Sequence, residues 1–78
     1  MPNAYVLINC DIGSEEFVMS QLKEIDLVKE LLGTFGAYDI VVLVEADTVE
    51  SLRDVITWKI RKIEKIRSTL TMMVIKEQ

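Results

Sequence analysis

The 78-residue chain has no histidine, one cysteine, one proline and three glycines, and its aromatics are two Tyr, two Phe and one Trp. Each shortage excludes something. Without histidine there is no Cys/His metal constellation and no imidazole to act as a general base. A single thiol cannot close an intrachain disulfide, so Cys10 reads as a small buried apolar residue at a strand end. Scarce Gly and Pro rule out a disordered or linker-rich chain. No apolar run approaches the roughly 20 residues of a membrane-spanning helix. Nor does Met1-Pro2-Asn3 lead a charged segment into an apolar core. A cytoplasmic protein without membrane contact is expected. Positive charge is short too, with 9 Lys and Arg against 13 Asp and Glu for a net charge of −4. Nucleic-acid binding needs a basic face to neutralise phosphates, so no direct contact with DNA or RNA is expected. Lys59, Arg61, Lys62, Lys65 and Arg67 do cluster, and they read as a solvated helix end complementing its dipole.

Apolar residues, by contrast, make up 50% of the chain. One small domain of this size buries only about 60–65% of its unfolded surface and is marginal by itself. The surplus points to a homo-oligomer. Ala4–Cys10 is rich in β-branched and aromatic residues and reads as a strand. Asp11-Ile12-Gly13-Ser14 breaks it, with Ser14 placed to cap a helix whose first turn holds Glu15 and Glu16. Phe17, Val18, Leu22 and Ile25 give that helix its apolar stripe. Leu27–Phe35 reads as a second strand, joined by a tight Gly36-Ala37 connection to a third, Tyr38–Glu45. Asp47 and Glu50 have the spacing of a capping box. The helix they open carries Leu52, Val55, Ile56, Ile60 and Ile63 on one face, and a last strand spans Ile66–Lys76. The order β-α-β-β-α-β predicts a ferredoxin-like α+β fold: a four-stranded antiparallel sheet with both helices on one face.

The third strand is apolar on both faces through Ile40-Val41-Val42-Leu43-Val44, although a half-solvated antiparallel strand should alternate. With helices on one face, Tyr5, Leu7, Val41 and Leu43 or their neighbours must point to the bare one. Monomers rarely leave exposed more than a few hundred Å² of contiguous apolar surface. Dimerisation through the open sheet face, face to face or edge to edge, is expected.

Catalytic chemistry is not visible. No nucleophile stands beside a base, no glycine loop cradles a phosphate and no metal-ligand spacing occurs. Asp11, Asp39 and Asp47 sit at element ends, where Asp is common as a turn or cap residue. Asp39, at the mouth of an apolar strand, admits two readings. It is an exposed hairpin-end residue beside a packing Tyr38, or it faces a small zwitterion. In the second case the carboxylate takes an ammonium and backbone amides near Gly36 take a carboxylate. Thr69 and Thr71, on one face of the last strand, would add hydroxyls, although alternating Thr is ordinary strand composition. Trp58 reads as a packing residue at the edge of its stripe, and Met72-Met73 as core or interface filling.

Across nearly its whole length the chain resembles the RAM domain, the regulator-of-amino-acid-metabolism module of Lrp/AsnC-type transcription factors. The likeness runs from the first strand through Val28, the Gly36-Ala37-Tyr38-Asp39-Ile40 turn, Asp47 and Leu52 to Ile66-Arg67-Ser68-Thr69-Leu70-Thr71. A Gly-x-Tyr-Asp turn between the second and third strands is that family's best signature. The resemblance implies dimers formed through the sheets, rings that are commonly octamers, and amino-acid effectors bound between dimers. It implies ligand contacts from Gly36, Tyr38 and Asp39, with Thr69 and Thr71 joining them; the residues themselves call for neither a cofactor nor a metal. Met1 lies only a few residues before the first strand, so residues 1–78 read as a single domain without the family's helix-turn-helix. Such a module would influence transcription indirectly, through full-length relatives of the Lrp/AsnC type. A pure oligomerisation protein is the alternative, and behind it a cofactor-independent dimeric α+β enzyme, hinted at only by Asn9 and Trp58.

Overall fold

Along Asn3–Cys10 (β1), alternate residues Ala4, Val6, Ile8 and Cys10 are buried, and the same rhythm continues at Ile40, Val42 and Val44 of β3 (Ile40–Glu45). A strand points successive side chains to opposite faces, so this set defines one covered face. The structure, a computed structural model, describes residues 1–75. Its remaining elements are α1 (Glu15–Lys23), β2 (Val28–Gly33), α2 (Val49–Val55) and β4 (Ile66–Val74). The strands form one antiparallel four-stranded sheet in the order β2-β3-β1-β4, the ferredoxin-like arrangement. Val18 and Leu22 of α1 and Leu52 and Val55 of α2 close over the covered face. No polar or charged side chain is buried among the described residues, so apolar burial holds the two layers together. None of the helices among them is long and apolar enough to cross a membrane.

The opposite face carries the complementary set. Register places Leu32, Val41, Leu7 and Leu70 in one row across the four strands, and Leu43, Tyr5 and Met72 in the next. Leu32, Tyr5, Leu70 and Met72 stay exposed. The bare apolar face expected from Tyr5, Leu7, Val41 and Leu43 is present, and β2 and β4 extend it.

Several boundaries differ from expectation. β2 ends at Gly33 and β3 begins at Ile40, so a loop over residues 34–39 replaces the tight Gly36-Ala37 hairpin. Tyr38 and Asp39 belong to that loop and not to the strand. The second helix is capped by Thr48, not Asp47: Thr48 is extended (φ −133°, ψ 158°) and its side-chain oxygen accepts from Ser51 N at 3.0 Å. Ala46 N is still bonded to Pro2 O at 3.1 Å, which keeps the chain strand-like to that point and delays the helix start. Ser14 occupies the cap position of α1 without making a side-chain cap bond. Its N–H instead closes a turn onto Asp11 O at 3.0 Å, with Gly13 at φ 85° supplying the left-handed residue. After Val55 the helix widens into a π-helical turn, Ile56–Ile60, marked by Arg61 N donating to Ile56 O at 2.9 Å. The expected stripe survives the change, with Leu52, Val55, Ile56 and Ile60 buried and Ile63 packed at its edge. Phe17 of the first stripe is 45% exposed. The expected end of the last strand at Lys76 lies outside the described residues.

Candidate functional site

The 34–39 loop is closed by its own polar groups. Thr34 N donates to Asp39 O at 2.9 Å, and Thr34 Oγ1 donates to Tyr38 O at 2.6 Å. Gly36, at φ 127°, occupies a conformation that residues with a Cβ rarely adopt, so glycine is required for this path. Asp39 anchors the loop to β1 twice. Its N–H donates to Ile8 O at 2.9 Å, and its Oδ2 accepts from Cys10 N at 3.0 Å. That second bond satisfies an amide at the point where the β1–β4 register slips, between Asn9 and Cys10. A carboxylate has two oxygens, and this bond uses one.

Beside Asp39 lies an open depression of about 510 Å³, lined by Asn9, Cys10, Ile12, Asp39, Arg67 and Ser68. Both signs of charge meet there. Arg67 Nε stands 4.0 Å from Asp11 Oδ1 across an exposed pair. Cys10 contributes little reactivity: burial first, and then the negative charge of Asp39, push its thiol above its ordinary pKa of 9.0. Among the described residues no group of three or more His, Cys, Asp and Glu is placed to hold a metal ion.

The five residues expected to contact a ligand fall in two places. Gly36, Tyr38 and Asp39 share the loop. Thr69 and Thr71 lie opposite Ile8 and Val6 of β1, so they point to the helix side of the edge strand β4. Strand β1 separates them from β3, which puts them two strand spacings, about 10 Å, from the loop side of the sheet. The β4 residues that reach the Asp39 depression in the same protomer are Arg67 and Ser68. Neither was singled out from sequence, where Arg67 counted as one of a cluster of helix-end cations. The signal was the register itself: Asn9 pairs with Ser68, and Asn9 is one residue from the Cys10 amide that Asp39 holds. Trp58, 65% exposed, stands away from this end and lines a separate groove of about 330 Å³ with Leu27, Asp54 and Val55. Lys62 Nζ lies 5.3 Å from the centre of its ring.

The model of the Lrp/AsnC ligand binding domain matches residues 3–78. The chain belongs to the Lrp/AsnC ligand-binding domain family. Among solved structures this Lrp/AsnC domain is similar to FFRP-DM1, at 41% identity over 96% of this chain and 100% of that one, with a TM-score of 0.92. It is similar also to the hypothetical protein PHS023 of Pyrococcus horikoshii, at 42% identity over 99% of this chain and 93% of that one (TM-score 0.90). Escherichia coli AsnC matches at 26% identity and a TM-score of 0.91 over 97% of this chain, which spans 52% of that protein. No curated protein matches the chain in sequence. The Lrp/AsnC domain is thus of a regulatory, ligand-binding type, and its β2–β3 loop and the depression beside it form its candidate site.

Proposed function

We propose that this Lrp/AsnC domain, as a single domain, binds an amino-acid effector and assembles through its open sheet face. It would act on transcription in the cytoplasm indirectly, through partner proteins such as full-length Lrp/AsnC-type regulators. One observation carries the effector reading: Asp39 is fixed by Cys10 N at 3.0 Å while standing in the wall of an open depression. A carboxylate oriented in this way, beside a loop whose glycine exposes backbone amides, suits an ammonium and a carboxylate on one small molecule. Because Thr69 and Thr71 face the helix side of β4, we assign their contacts to a ligand held by the loop of another protomer. Oligomerisation then completes the site. A purely structural role is favoured by a different observation, the exposed apolar face that carries Leu32 and Leu70 in one row and Tyr5 and Met72 in the next.

Thermal unfolding with each common amino acid in millimolar excess separates the two, with mass read by light scattering in the same buffers. Ligand at about 100 times its Kd stabilises by roughly 2.7 kcal/mol per site, several degrees for a domain this small. The expected result is a selective shift that Asp39→Asn, which keeps an acceptor for Cys10 N, abolishes. Stable oligomers with no shift from any amino acid would refute effector binding and leave the assembly role.

A further inference from the structure

We infer that Arg67 joins the loop amides in anchoring the effector's carboxylate, that Asp11 occupies Arg67 in the ligand's absence, and that the effector carries an uncharged side chain. This rests on the reading of the Asp39 depression as an amino-acid site and assigns residues that the resemblance to the family did not supply. Arg67 and Asp39 line the same depression. An isolated cation there would suit any anion and an isolated carboxylate any cation, whereas the two together select a molecule bearing both charges. A guanidinium presents five N–H donors in a planar fork that matches a carboxylate two bonds at a time.

Among the described residues Arg67 is not engaged by a strong partner. Its ion pair with Asp11 spans 4.0 Å, outside hydrogen-bond reach, and the two side chains are 68% and 51% exposed. A ligand carboxylate making direct bonds displaces so loose a partner. Asp11 begins the turn that leads through Gly13 into α1, so its release is felt where β1 hands over to the helix. The remaining polar wall, Asn9 and Ser68, is neutral and supplies hydrogen bonds without asking for a charged side chain. Ile12, 95% exposed, gives the rim an apolar surface that has no packing role within the protomer. The volume, about 510 Å³, lies within the 300–1,000 Å³ typical of small-molecule sites.

Calorimetric titration of the whole chain with L-leucine, L-methionine and L-serine tests the assignment. L-Aspartate and L-lysine serve as charged comparators, and 3-methylbutylamine serves as leucine lacking its carboxylate. At least one of these uncharged amino acids should bind the parent. Arg67→Gln should weaken that binding at least tenfold with Arg67→Lys intermediate, and Asp11→Asn should tighten it a few-fold. The amine should bind parent and Arg67→Gln equally, a result that a general disturbance of the fold would not produce. Both side chains are exposed, so the variants should unfold within a degree or two of the parent. If Arg67→Gln binds like the parent, the anchor is wrong while the amino-acid site stands. If only L-aspartate or L-lysine binds, the side-chain assignment falls. If no amino acid binds the parent, the underlying reading fails and takes the anchor with it.

Discussion

Replacing Leu70 by Glu should take the assembly apart without unfolding the protomer. Leu70 sits at the end of the row Leu32–Val41–Leu7–Leu70 and remains 46% exposed. Full burial of such a side chain is worth about 1.5–3 kcal/mol, so roughly half of that, about 0.7–1.4 kcal/mol, is still to be gained when a second sheet covers it. A symmetric contact contains the residue twice, giving about 1.4–2.8 kcal/mol per dimer. That corresponds to a dimer dissociation constant about 10- to 100-fold weaker, before any penalty for bringing a carboxylate into an apolar contact. Sedimentation equilibrium over a concentration series measures it, with far-UV circular dichroism to show that the protomer still folds. Phe17→Glu is the matched comparison. Phe17 is 45% exposed, almost the same fraction, but it lies on α1, on the other side of the molecule. The reasoning is refuted if Leu70→Glu keeps the parental mass at every concentration, or if Phe17→Glu dissociates the assembly as effectively.

Other expectations follow from single contacts. Thr48→Ala should cost about 1 kcal/mol because Ser51 N loses its acceptor, and Asp47→Ala much less; equal shifts in urea midpoint would contradict the cap assignment. Leu22→Ala, at a fully buried position, should cost about 2–5 kcal/mol and lower the melting temperature by at least about 8 °C; a smaller change would mean that α1 collapses onto the sheet. Cys10 holds its proton more tightly folded than unfolded, so its contribution is fully present below the unfolded thiol's pKa. That contribution is lost as pH rises through the folded one. Cys10→Ala should therefore flatten the loss of stability as pH rises past the thiol's ordinary pKa of 9.0, measured by urea unfolding; an unchanged slope would remove the thiol from the account.

What was readable in the sequence was whatever depends on periodicity. Val6, Ile8, Val42 and Val44 alternate with Tyr5, Leu7, Val41 and Leu43, and that two-sided pattern is visible without coordinates because strand period is fixed by geometry. The order of elements and the open face follow from it. What was not readable depends on a partner distant in sequence. Asp47 and Thr48 are both competent caps, and the backbone bond between Ala46 and Pro2 decides between them. The link from Asp39 Oδ2 to Cys10 N crosses 29 positions and has no local signature. Arg67 looked like one more cation in a basic run until the β1–β4 register placed it beside Asp39. Asp39 was therefore legible as a candidate, and the strand residues that share its depression were not.

The π-helical turn at Ile56–Ile60 has a bearing on how much length this helix can lose. In an unbroken α-helix each residue advances about 100°, which would put Ile60 about 80° from Leu52 around the axis. The bond from Arg61 N to Ile56 O spans one residue more than an α-helical turn. Absorbing that residue brings Ile60 back to about 20° on the other side of Leu52, and both are fully buried. The helix therefore carries a spare residue. Deleting Thr57, which is only partly buried, should leave a regular α-helix with the same apolar face and a melting temperature near the parent's, whereas deleting Thr57 and Trp58 together should swing Ile60 off that face and unfold the domain. The segment behaves as a splice point in the chain, a place where it can shorten by one residue without re-designing its core.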